Sequence, residues 1–170
     1  MSDTVGAVAT AVQLGIPTLY FEDLGVGTTC VSAGRTVTEA DIVAFAGLSG
    51  DYNQLHVDEQ FAGKTVHGGR IAHGMLVLSI LSGLSTRTSL MQGLGETIVG
   101  LVGLECRFKK ATKIGDTLHV RLTVAELKPT SKGGRGIVVL HRDAVNQRDE
   151  VVLESVWSLM IRCRLVGESK

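Results

Sequence analysis

Neither sign of charge dominates this chain. Lysine plus arginine and aspartate plus glutamate both total 17, so the formal net charge is +0. A protein that displaces phosphate counterions carries a basic excess, so nucleic acid is not an expected partner. The same balance gives an anionic membrane surface nothing to attract. Cysteine is scarce: Cys30, Cys106 and Cys163 are an odd set with no CxxC spacing. They read as free, buried thiols in a reducing compartment. Long apolar runs are missing too. The strongest, Met75 to Leu84, is interrupted by Ser79, Ser82 and Gly83 and falls short of the ~20 residues that span a bilayer. The first Lys or Arg is Arg35, so the basic start of a secretory signal or transit peptide is absent. These absences lead us to expect a soluble, cytoplasmic protein.

What is present points to one folded domain. The chain has 170 residues, 44% of them hydrophobic and 20% charged, which is enough apolar surface to offset the ordering entropy of a single core. No repeat, linker or low-complexity stretch divides it. Residues 1–18 read as a loosely ordered arm broken by Pro17, and 19–165 as the domain. Thr28 to Val37 reads as a first strand. Thr38 is a helix N-cap, with Asp41 placed to reach back and Ile42, Val43, Phe45 and Ala46 at helical spacing. Ser49 to Asn53 is turn chemistry. The run from Gly74 has no polar face beyond its serines, so it reads as a buried helix continuing into the Leu90 region. Strands follow from Thr97 onward. Leu118, Val120, Leu122 and Val124 alternate with polar residues, Lys132 to Gly136 reads as a turn, and Val151, Leu153, Trp157, Leu159 and Ile161 share one parity. About five strands with short turns around one helix make an antiparallel α+β fold.

Two stretches can carry chemistry. Asp51 and His56 are five apart with Asn53 between, so a carboxylate and an imidazole can converge on one water for general acid–base work. The same residues also fit an Asx-turn and an ordinary half-buried histidine. His73-Gly74 precedes the long helix, where free N–H groups and the absence of a side chain suit a carbonyl that gains negative charge. Gly74 could equally relieve crowding there. Ser79 and Ser82 lie on the helix, where a serine normally bonds back to its own backbone. His56, His67 and His73 form no recognisable metal-ligand set, so no metal is expected. Gly93-Leu94-Gly95 lacks the third glycine of a dinucleotide loop. Lys109, Lys110, Lys132 and Arg135 fit either a phosphate contact or a solvated face.

Ser-Gly-Asp-Tyr-Asn-Gln-Leu-His-Val-Asp at 49–58, followed by Ile-Ala-His-Gly-Met-Leu at 71–76, resembles the hydratase 2 motif of the MaoC-like, (R)-specific enoyl-CoA hydratases. Phe108-Lys109-Lys110 and Gly115 to Leu118 extend the likeness, which covers about residues 20–163. The resemblance implies a single hot-dog domain, an antiparallel sheet wrapped around a long buried helix, assembled as a homodimer or higher oligomer. It implies reversible addition of water to a trans-2-enoyl thioester, giving the (R)-3-hydroxyacyl product. Asp51 and His56 would be catalytic, Gly74 would bind the thioester carbonyl through its N–H, and Asn53, His73 and Ser82 would line the site. Lys109 and Lys110 would meet coenzyme A phosphates. No cofactor is implied beyond the acyl carrier itself, coenzyme A or an acyl carrier protein. The motif's usual proline after the asparagine is Gln54 here. A hot-dog thioesterase or a non-catalytic acyl-CoA-binding module are the alternatives. The thioesterase's usual helix carboxylate is missing between Gly74 and Leu90, and the intact Asp51/His56 pair counts against the binding module.

Overall fold

The computed structural model of the protein describes residues 15–131 and 133–164. Most of the expected arm, residues 1–14, lies outside them. Leu19 is already anchored, its N–H donating to the Gly93 carbonyl at 2.8 Å. After a 3₁₀ turn at Phe21–Asp23 come β1 (Thr29–Val31), β2 (Arg35–Thr36) and α1 (Glu39–Ser49). Three helices follow, α2 (Gln54–Val57), α3 (Glu59–Ala62) and α4 (Gly74–Ser85), then a short α5 (Ser89–Gly93). The chain ends in four long strands, β3 (Ile98–Phe108), β4 (Thr117–Pro129), β5 (Arg135–Val145) and β6 (Val151–Arg162). The sheet is antiparallel in the order β1-β4-β5-β6-β3, with β2 also paired to β4.

Six strands replace the expected five because Thr28 to Val37 does not run as one strand. Ser32 interrupts the ladder: its hydroxyl accepts the Val120 N–H at 2.9 Å while its own N–H donates to the Val120 carbonyl. The tip between β4 and β5 is also tighter than expected, since Arg135 and Gly136 belong to β5 and Gly133 and Gly134 hold the positive φ of the turn. Lys132 lies outside the described residues.

Alternation decides the core. Leu118, Val120, Leu122 and Val124 are all fully buried on β4. On β6, Leu153, Trp157, Leu159 and Ile161 face inward, but Val152 is more buried than Val151. The β5–β6 register shift between Ala144 and Val145 changes the inward parity there. α1 begins with the expected capping box: Thr38 Oγ1 accepts the Asp41 N–H at 3.3 Å and Asp41 Oδ2 accepts the Thr38 N–H at 2.8 Å.

The sheet packs on α4, whose Leu76, Val77, Leu78, Ile80, Leu81 and Leu84 join the core. Each such side chain contributes ~1.5–3 kcal/mol by burial. The helix ends at Ser85 rather than near Leu90. Thr88 is extended and caps α5, accepting the Met91 N–H at 3.4 Å, which turns the chain out of the first helix. Nor is α4 buried all round: Met75, Ser79 and Gly83 stay exposed along one side. β3 is likewise an edge strand with Val99, Leu101, Val102 and Leu104 in solvent. The three cysteines are free but half-buried rather than buried. Among the described residues, no helix is long and apolar enough to cross a membrane.

The β5–β6 hairpin makes acid stability predictable. Glu150 accepts from Asn146 Nδ2 at 2.8 Å, Lys110 Nζ at 2.6 Å and Arg148 Nε at 3.0 Å. These partners, Asn146 foremost, hold its carboxyl down to about 2. Burial pushes nearby Asp116 up, but the Lys113 N–H, Gln147 and Arg148 outweigh it and the net shift is downward. Both folded values lie below the ordinary carboxylate range near ~4, so their stabilisation is complete above ~pH 5 and drains away as pH falls toward ~2. Melting temperatures between pH 7 and pH 3 should fall at the acid end, and Glu150→Gln should flatten that fall.

Candidate active site

The cluster is assembled by short-range caps and then tied down from a distance. α1 stops at Gly50, which takes a left-handed φ of 75°. Asp51 then accepts the Asn53 N–H on Oδ1 at 3.2 Å, and Asn53 Oδ1 accepts the Leu55 N–H at 3.0 Å to cap α2. The Asx-turn is therefore real, and it leaves Asp51 Oδ2 uncommitted to any described residue. α2 carries His56, half-buried, one turn on.

His56 is fixed through its ring. Its Nδ1 lies 2.8 Å from the Ile71 carbonyl oxygen. A carbonyl accepts only, so Nδ1 carries the proton, and in the neutral ring Nε2 keeps the lone pair that a base needs. Ile71 is itself held: its N–H donates to the Leu55 carbonyl at 3.1 Å, it bridges to Lys113, and the Ala72 N–H donates to the Thr112 carbonyl at 2.8 Å. Next to it, Arg70 grips Glu39 of α1 at 2.7 and 2.6 Å and Glu59 of α3 at 3.1 Å.

His73 lies against both members. Only 2% exposed, it stacks on His56 with ring centroids 3.8 Å apart, and its Nε2 lies 2.9 Å from the Asp51 backbone oxygen. Phe45 of α1 covers it at 5.0 Å between centroids. One donor atom each from Asp51, His56 and His73 lie within 4.8 Å of one another. These three are also the residues that could hold a cation, with one nitrogen of each ring already committed to a carbonyl.

Gly74 opens α4 immediately after His73, whose side chain does not cap the helix. Its N–H is thus among the unpaired first-turn donors. Phe108 packs close over Gly74: a Cβ here would lie 2.8 Å from that ring, so the ring would have to move aside. A cavity of about 430 Å³ borders Gly74, lined among others by His67, Ile71, Met75, Phe108 and Lys110. Asp51 and His56 do not line it; Ile71 joins the two, lining the cavity while its carbonyl holds His56. Lys109 and Lys110 reach this cavity but are paired, with Glu154 at 3.4 Å and Glu150 at 2.6 Å. Ser82, half-buried, sits eight residues beyond Gly74, ~12 Å along the helix axis.

The structure therefore brings together Asp51, Asn53, His56 and His73, with Gly74 following His73 and opening on the adjoining cavity. Sequence reading gave no site role to Phe45, Phe108 or the Ile71 carbonyl, because the contacts that place them at the site form only in the folded chain. Gln54 has a simple account. It is the first residue of α2, where a proline costs no hydrogen bond, and Asn53 already has φ −57° and ψ 136°, as a residue before proline requires. Gln54→Pro should stabilise the fold by ~0.4–1 kcal/mol through the unfolded chain, seen as a higher urea midpoint at unchanged slope.

The family model for the MaoC-like domain matches residues 25–145. An (R)-specific enoyl-CoA hydratase of Rhodospirillum rubrum is 38% identical over 146 residues, covering 85% of this chain and 93% of that protein. A 3-hydroxybutyryl-CoA dehydratase of Methylorubrum extorquens is 37% identical over 118 residues, 69% of this chain and 71% of its own. The crystal structure of a MaoC-like dehydratase from Rhodospirillum rubrum superposes with a TM-score of 0.77 at 36% identity, over 86% of this chain and 98% of that one. The sheet wrapped on α4 is accordingly a hot-dog fold, and the chain belongs to the MaoC-like dehydratase family.

Proposed function

We propose that the protein is a hydro-lyase that reversibly adds water to a trans-2-enoyl thioester and forms the (R)-3-hydroxyacyl product. The observation that carries this reading is the convergence of the Asp51 carboxylate and His56 within 4.8 Å, with Nδ1 of the imidazole spent on Ile71 and Nε2 left as acceptor. The pair holds one water. As its oxygen bonds to C3, the water loses a proton to the pair and the π electrons move toward the thioester carbonyl. The Gly74 N–H at the start of α4 receives that charge. The pair then returns a proton to C2, so one water is added and the protein is unchanged. Lys109 and Lys110, at the rim of the Gly74 cavity, would reach the carrier's phosphates by exchanging their carboxylate partners. Coenzyme A is the carrier we favour, since the relatives' names specify it.

The exposed apolar edge of β3 and the open side of α4 fit a second copy joined through the sheet, so the working unit in this reading is a homodimer in the cytoplasm. Loss of the 2-enoyl ultraviolet band with crotonyl-CoA and longer and branched analogues, followed by chiral analysis, tests the reaction. Band loss with an (R)-3-hydroxy product supports the reading. Release of free thiol with the band retained would move the protein to the thioesterases.

A further inference from the structure

We infer that His73 is a positioning residue that holds Asp51 and His56 in register with each other. The inference deepens the proposed reaction and rests on it for the kinetic readout, though not for the structural one. His73 is the only described residue to touch both members through its ring: it donates Nε2–H to the Asp51 carbonyl at 2.9 Å and stacks on His56 at 3.8 Å. Twenty-two residues separate it from Asp51, so this bond ties the start of α4 to the loop after α1. Phe45 packs against the ring, and the side chain is 2% exposed.

The protonation pattern follows. The bond to a carbonyl puts the His73 proton on Nε2. Its Nδ1 is buried and has no hydrogen-bond partner among the described residues. With Nε2 spent on the Asp51 carbonyl and Nδ1 buried, the ring presents no open nitrogen to a water. It is therefore not the proton carrier. It is a fixed donor and a flat wall, and the proton traffic stays with Asp51 and His56. Losing the donor frees the Asp51 backbone to move relative to His56, and displacements of ~1 Å in such a pair cost ~100-fold in rate.

The test separates donor from wall. His73→Phe keeps the ring but takes the Nε2–H from the Asp51 carbonyl, and loss of Nδ1 strands no donor because that atom has no partner among the described residues. His73→Gln returns an N–H near the Nε2 position. With crotonyl-CoA, His73→Phe should lower kcat by about 100-fold with KM within about twofold, because the loss falls on catalytic geometry rather than on substrate binding. His73→Gln should recover to within about tenfold of the starting protein. Far-ultraviolet circular dichroism verifies that both variants fold. A His73→Phe kcat close to the starting protein, or a folded His73→Gln as weak as His73→Phe, overturns the inference. The resting protein supplies a readout free of substrate, namely the ¹⁵N imidazole spectrum. A proton on Nε2 of His73 supports the positioning bond even if no enoyl thioester is turned over. A proton on Nδ1 overturns it even if hydration is fast.

Discussion

Asp51→Asn should abolish most of the hydration activity, with kcat/KM falling by about 10²–10⁴-fold, the range that a general acid–base group supplies. The substitution is nearly isosteric. An asparagine oxygen still accepts the Asn53 N–H, so the Asx-turn at 3.2 Å survives and the fold with it. What disappears is the charge on the second oxygen, which in the proposed reaction helps the pair hold the water and receive its proton. His56→Ala should cost a similar factor, since in the proposed reaction it removes the other side of the same water. The two losses should not add. With one partner gone the water is already misplaced, so the double variant should resemble the worse single variant. Initial rates with crotonyl-CoA on folded proteins decide the matter. Near-full activity in either single variant would remove the acid–base assignment.

Trp157→Ala should destabilise the fold strongly, costing ~3–5 kcal/mol. Trp157 lies on the inner face of β6, 7% exposed. Its Nε1–H donates to Ser155 Oγ at 2.8 Å, and Ser155 in turn donates to the Arg142 carbonyl at 2.7 Å. The Arg142 guanidinium lies over the ring, 4.5 Å from its centroid. Arg142 is itself buried, its Nε has no partner among the described residues, and burial pushes its pKa down to about 10. Its other contact is the Met91 sulfur at 3.4 Å. Removing the indole opens a cavity and also takes the π-face from a cation that forms no ion pair among the described residues. A urea titration should show a lower midpoint at constant slope. A loss below about 1 kcal/mol would mean that the Arg142–Trp157 layer is not part of the core's support.

The elements differ in how far local sequence determines them. The Thr38–Asp41 capping box and the alternation of β4 are legible because each depends on residues a few positions apart. The same holds for the Asp51–Asn53–His56 run, whose caps close over two or three residues. The break at Ser32 is not legible, because the partner of its hydroxyl is the backbone of Val120, far along the chain. The early stop of α4 has a sequence signal, the polar run Ser85-Thr86-Arg87-Thr88-Ser89, which a reading that follows Met75 to Leu84 onward to Leu90 passes over. A threonine within such a run looks like a helix residue until its neighbours turn it into a cap. The open side of α4 and the bare edge of β3 depend on which faces the sheet covers, which no periodicity within one segment reveals.

The sequence by itself determined the family's motif, the antiparallel α+β class and the identity of the carboxylate and imidazole in the candidate site. These are carried by residue types at short spacing, where hydrogen bonds and side-chain alternation act locally. The tertiary structure alone decided which nitrogen of His56 is free, that His73 spans to Asp51, that a side chain at Gly74 would meet the Phe108 ring, and that Lys109 and Lys110 start out paired. Each of these depends on a contact between segments far apart in the chain, and such contacts exist only once the sheet has closed around α4.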